Sequence, residues 1–137
     1  MQRTFTILKP DTVSAGNAGL IIDRLLKEGF RIRAMKLVHL TREQAEGFYD
    51  VHKERPFFPS LVKFMTEGPI LPMVLEADNA IEKLRKVMGA TDPAKADAGT
   101  IRKEFATNIE RNAIHGSDGP DTAAYEISYF FNRLEIL

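Results

Sequence analysis

His115 is the side chain in this sequence best placed for covalent chemistry. It stands in Arg111-Asn112-Ala113-Ile114-His115-Gly116-Ser117-Asp118-Gly119, after a short apolar step and before a glycine. That setting puts an imidazole at the end of a strand with little backbone bulk beyond it. A neutral imidazole carries a free lone pair near pH 7 and serves as nucleophile or general base; the alternative is a turn histidine bonded only to its neighbours. Glu126 sits on the helix expected just beyond. Its carboxylate either takes the hydrogen of the second ring nitrogen and fixes the tautomer, or is simply solvated.

Lys9, Arg55, Arg85 and Arg102 each fall at or near the end of an expected element. Singly they read as surface charges. Together they make a polyphosphate clamp, because guanidinium forks match phosphate oxygens bidentately. His52 follows Tyr49 by three positions, so a helix would put both on one face, at the rim of a site or on a surface patch. Phe57 and Phe58, between Pro56 and Pro59, are core or offer a ring on which a base stacks. His39 lies in a strand-like apolar stretch and reads as structural.

Other chemistries are absent. The nine glycines contain neither GxGxxG nor the P-loop arrangement before Lys-Ser or Lys-Thr. None of the three histidines belongs to HExxH, and there is no GxSxG elbow and no aspartate-rich calcium loop. With no cysteine there are no disulfides, thiolate metal sites or thiol nucleophiles. Lys plus Arg balances Asp plus Glu at 19 each, which argues against a protein that coats nucleic acid. No long uncharged apolar run spans a membrane, and the start MQRTFTILKPD lacks a signal-peptide pattern, so a cytoplasmic location is expected.

The elements that must position these groups follow from periodicity. At 137 residues, 44% of them apolar, one domain over 1–137 is expected. Arg3 to Leu8 alternates as a strand that Lys9-Pro10-Asp11 breaks. Ala18, Ile21, Ile22, Leu25 and Leu26 form a helical stripe with Gly29 as its stop. Phe30 to Leu40 reads as a second strand whose alternation slips near Met35, as at a bulge. Thr41 and Gln44 have capping-box spacing for a helix running towards Tyr49 and His52. A short helix over Ser60 to Met65 and a third strand over Ile70 to Leu75 come next. Asp78 is expected to cap a helix ended by Gly89, and Ala90 to Gly99 to form a long loop. Asn112 to His115 suits a fourth strand, and Pro120 the first turn of a last helix with Ala123, Ile127, Phe130 and Phe131 inward. The order predicts an α+β fold, ferredoxin-like βαββαβ, an antiparallel sheet with helices on one face plus extra helices.

Five segments, in order, carry a resemblance. They are Thr6 to Asp11 (TILKPD), Tyr49 to Phe58 (YDVHKERPFF), Met88 to Lys95 (MGATDPAK), Gly99 to Arg102 (GTIR) and Arg111 to Asp118 (RNAIHGSD). Over essentially its whole length the sequence resembles the nucleoside diphosphate kinases. The resemblance implies transfer of the γ-phosphoryl of ATP or another nucleoside triphosphate to a nucleoside diphosphate through a phosphohistidine, here at His115. It implies that Lys9, Tyr49, Arg85, Thr91 and Arg102 contact the phosphates or their surroundings, with His52 at the phosphate end. By the same likeness Phe57 stacks on the base, Asn112 with Lys9 meets the sugar hydroxyls, and Glu126 orients the nucleophile. Mg²⁺ would be held mainly through the substrate phosphates, with no dedicated metal ligands. A homotetramer or homohexamer is implied as well. Thr12 stands where glycine is usual, Ala98 where proline is frequent, and Lys103-Glu104 where Gly-Asp is frequent, which bears on the pose of Arg102. The rival readings are an RNA- or ligand-binding module, against which the neutral charge and missing aromatic strand motif count, and a regulatory protein that keeps the fold without activity.

Overall fold

The computed structural model describes residues 1–137. Four strands, β1 (Gln2–Leu8), β2 (Arg31–Met35), β3 (Leu71–Ala77) and β4 (Ile114–Gly116), form one antiparallel sheet in the order β2-β3-β1-β4. Helices α1 (Pro10–Ser14) and α2 (Ala18–Lys27) join β1 to β2. Helices α3 (Arg42–Phe48) and α4 (Phe58–Thr66) are inserted between β2 and β3. Helices α5 (Ala80–Met88) and α6 (Ile101–Phe105) join β3 to β4, and α7 (Pro120–Phe130) follows. The fold is the expected α+β ferredoxin-like one. None of the helices is long and apolar enough to cross a membrane.

The sheet is covered on both faces. Ile21 and Leu25 of α2 and Leu84, Val87 and Met88 of α5 pack with Met73, Leu75 and Ile114 on one face. The extra helices bring Ala45, Phe48, Val62, Phe64 and Phe130 against Phe5, Ile7 and Val74 on the other. Alternation along β3 thus sends Val74 one way and Met73 and Leu75 the other. Thr4 and Thr6, expected opposite Phe5 and Ile7, are fully buried because β1 has no solvent side.

Local signals mostly act as their chemistry dictates. Gly29, at φ 96°, ends α2 in a Schellman arrangement, with Phe30 N–H donating to Leu25 O and Gly29 N–H to Leu26 O. Thr41 and Gln44 form the reciprocal capping box of α3. Several boundaries differ from expectation. Pro10 ends β1 but also opens the five-residue α1, since its missing N–H is free to sit in a first turn. β2 stops at Met35, not Leu40; only an isolated bridge, Val38 to Ile70, continues it. Its register shift falls between Ile32 and Ala34, slightly earlier than Met35. The helix expected over Ser60 to Met65 extends by a residue or two at each end.

Asp78 does not cap α5. Asn79 occupies the cap in left-handed geometry, which asparagine tolerates, and donates to Glu82 Oε2 at 2.9 Å. Within the expected loop, Asp92 caps a 3-10 turn at Pro93–Lys95. α6 was not expected; Thr100 caps it by accepting from Lys103 N–H. Phe131 lies past the end of α7 in extended backbone, yet is buried in the core.

Candidate active site

β4 is what places His115. Its register sets Ile7 opposite His115 and Leu8 opposite Ile114. Ile114 therefore points into the α5 side of the core, and the imidazole points to the other face, edge-on to Phe48 with ring centroids 5.9 Å apart. Thr6 Oγ1 donates to His115 O at 2.6 Å and helps fix the strand. His115 Nε2 lies 2.8 Å from Glu126 Oε1, and Ser117 Oγ donates to the same oxygen at 2.7 Å. A carboxylate only accepts, so Nε2 carries the hydrogen and the lone pair of the neutral ring is on Nδ1. The side chains are 22% and 14% exposed, so this pair is shielded but open to one side.

That side is a cavity of about 740 Å³. His115, Glu126, Lys9, Tyr49, His52, Phe57, Arg85, Thr91, Arg102 and Asn112 all line it. Arg55 does not, and lies in an exposed stretch. Phe57 is 47% exposed and meets His52 with ring centroids 5.5 Å apart, whereas Phe58 packs on the core. Of that aromatic pair, Phe58 is the core ring and Phe57 the exposed one. His39 stays outside the cavity, its Nε2 2.8 Å from Thr66 O, consistent with a structural role.

Two of the cavity's cations, Lys9 and Arg102, are buried, and Arg85 is exposed. Lys9 Nζ donates to Asn112 Oδ1 at 2.8 Å, and its pKa is lowered from 10.5 to about 8, first by burial and then by the charge of Arg102. Arg102 donates to Gly89 O at 3.1 Å and Ile114 O at 2.8 Å. Burial, then Arg85, lowers its pKa to about 10, so it remains a cation at neutral pH. Those two carbonyls pin Arg102 despite Lys103 and Ala98, while its Nε is buried without a partner. Asn112 also ties loops together, donating to Thr91 O and Ile109 O. The Tyr49 hydroxyl is buried and unpartnered, and burial, then Glu126, raises its pKa. The carboxylates Asp50, Asp118 and Asp121 line the cavity but are exposed.

Ser117, Asp11 and Ile109 are the residues that sequence reasoning passed over. Ser117 is fully buried beside Glu126. Asp11 Oδ2 accepts from Ala113 N–H at 3.0 Å, just before β4. Ile109, 62% exposed, lines the cavity, and its only signal was an apolar residue in the polar run Thr107 to Glu110. Thr12, one of the departures, is buried and bonded to Ala113 O.

The nucleoside diphosphate kinase family model matches residues 2–136. A nucleoside diphosphate kinase of Desulfosudis oleivorans is 59% identical across 100% of this chain and 99% of its own. One of Geotalea daltonii is 55% identical, covering both chains fully. Among solved structures, the Aquifex aeolicus nucleoside diphosphate kinase superimposes with a TM-score of 0.97 at 46% identity, covering 99% of each chain. A halophilic one from Halobacterium salinarum, in complex with CDP, gives 0.95 at 39% identity, over 99% of this chain and 91% of that one. Fold and likeness define an enzyme class, the phosphotransferases that act between nucleotides. Within it, the chain belongs to the nucleoside diphosphate kinase family.

Proposed function

We propose that the chain moves the γ-phosphoryl group of a nucleoside triphosphate, mainly ATP, onto a nucleoside diphosphate in two half-reactions, and so maintains nucleotide pools. The observation that carries this is the tether of His115 Nε2 to Glu126 at 2.8 Å, which leaves Nδ1 as the nucleophile facing the cavity. The Nδ1 lone pair attacks the γ-phosphorus. A P–N bond forms, the bond to the β–γ bridging oxygen breaks, and its electron pair leaves with the diphosphate. An acceptor diphosphate oxygen then attacks the same phosphorus, and the P–N pair returns to Nδ1. Nε2–H stays with Glu126 throughout. The phosphoramidate is energetic enough to be passed on.

Positioning and charge neutralisation do most of the work in such transfers. Lys9, Arg85 and Arg102 supply cations to the phosphates, with Tyr49, Thr91 and His52 around them. Arg102 spends two N–H groups on backbone and keeps others for substrate. Asn112 and Lys9 approach the sugar, and Phe57 offers a face on which any base stacks. No cluster of three or more His, Asp or Glu is built to hold a metal. That donor set, with Asp50, Asp118 and Asp121 exposed and Glu126 bonded to His115 and Ser117, fits Mg²⁺ carried on the nucleotide phosphates and keeping several waters. When bound, the cation neutralises charge on the β- and γ-oxygens.

The edge position of β2 and the exposed Leu20, Leu26 and Met35 support a homo-oligomer, tetramer or hexamer. A cytoplasmic location remains part of this proposal. Incubation with γ-labelled ATP and Mg²⁺ tests the mechanism. Acid-labile, base-stable label should appear, chase onto a diphosphate and be absent from His115→Ala. Ternary-complex kinetics with no trapped covalent species would refute it.

A further inference from the structure

Ala113 and Asn79 are the non-glycine residues with positive φ, and only Ala113 lies beside the reacting atom. Asparagine tolerates that geometry; alanine does not. At Ala113 φ is 74°, and Ile114 N–H donates to Asn112 O at 2.9 Å, which closes a three-residue γ-turn of the rare, strained hand. The turn joins Asn112, which Lys9 holds, to Ile114, the first residue of β4, and Ala113 at its centre lies two residues before His115. Any relaxation of Ala113 therefore moves the imidazole.

A strained turn persists only where its surroundings over-determine it. Here the first turn of α1 grips both polar groups of Ala113. Asp11 Oδ2 accepts its N–H at 3.0 Å. Its carbonyl accepts Lys9 N–H at 2.9 Å and the Thr12 hydroxyl at 2.9 Å. Thr12 is 2% exposed and Ala113 fully buried, so no water replaces that hydroxyl without rearrangement. The other Asp11 oxygen, Oδ1, is buried without a partner and adds no bond to the grip.

We propose that Thr12 is a positioning residue: its hydroxyl holds the γ-turn at Ala113 and thereby sets where His115 Nδ1 meets the phosphoryl group. This rests on the phosphohistidine reading above. The test compares wild type, Thr12→Val and Thr12→Ser as full chains. It measures the single-turnover rate of label uptake from γ-labelled ATP, the final label per chain, the KM for ATP and the Tm. Thr12→Val should slow phosphoenzyme formation roughly tenfold, with the KM and final stoichiometry within about twofold of wild type. Thr12→Ser, which restores the donor, should recover to within about twofold. If Thr12→Val does not fold, Thr12→Ala carries the same comparison. A lowered Tm or labelled fraction with an unchanged rate would make Thr12 merely structural and overturn the proposal. A wild type that labels normally while Thr12→Val matches it defeats this inference alone. A wild type that takes no label defeats the phosphohistidine reading and this inference with it.

Discussion

Replacing Lys9 with methionine removes a positive charge that the fold keeps at a cost. The side chain is 7% exposed, and its pKa falls from 10.5 to about 8, chiefly through burial. In the unfolded chain it titrates at its ordinary value. Between pH 8 and pH 10 the unfolded state therefore holds a proton that the folded state has released, and stability rises with pH across that window. The whole displacement is worth about 3 kcal/mol, of which about 2 kcal/mol falls between pH 8 and pH 10. Other displaced groups act elsewhere. Arg102, lowered to about 10, adds stability only above that pH. Tyr49, raised above 10, removes stability there as well, because its folded state then holds the extra proton. Urea unfolding at pH 8, 9 and 10, at one fixed protein concentration, checks this. Wild type should gain about 2 kcal/mol relative to Lys9→Met across the window. A difference between the two proteins that stays flat with pH would refute the buried-cation account. A bound diphosphate should shrink the slope, since its phosphates favour the charged ammonium.

Glu126→Gln keeps an acceptor for Nε2–H but removes the charge that steadies a ring losing electron density to phosphorus. It should lower kcat roughly tenfold, the difference of about 1–2 kcal/mol between a charged and a neutral partner, with little change in KM in steady-state assays. Phe57→Ala should weaken purine and pyrimidine diphosphates alike, by about 1–3 kcal/mol in titration calorimetry. A loss confined to purines would contradict stacking on an unselective ring face.

Elements with enough length for a period were legible. The stripe Ile21, Leu25 with Gly29 beyond it, and the Thr41–Gln44 box, carried their own boundaries. α1 and α6 were not, because five residues complete little more than one turn and show no stripe. The site was legible in a different way. Motif likeness collected the ten side chains that line one cavity, but composition and spacing left Phe57 equal to Phe58 and Arg55 equal to Arg85. Which ring is exposed and which arginine lines the cavity depend on how α3, α4 and α5 seat on the sheet, a tertiary matter. The grip on Ala113 was out of reach, since nothing in the identity of an alanine announces a positive φ.

In the proposed mechanism, catalytic geometry reduces to the register of a three-residue strand. So short a strand has few ladder bonds to resist slipping, and a slip of one residue would exchange its faces. Ile114 would then stand in the cavity and the imidazole would face Leu84 and Met88. Gly116 guards against this. A β-carbon at that position would lie 2.6 Å from Met88 Sδ and 3.1 Å from Leu84 Cδ2, so a shifted register that brought any other residue there would force the Met88 and Leu84 side chains to move. Arg102, donating to Ile114 O, and Thr6, donating to His115 O, bind two successive carbonyls of the same strand. The buried arginine therefore carries two duties at once. Its charge faces the phosphates in the proposed mechanism, and its hydrogen bonds hold in register the strand that presents Nδ1 to them.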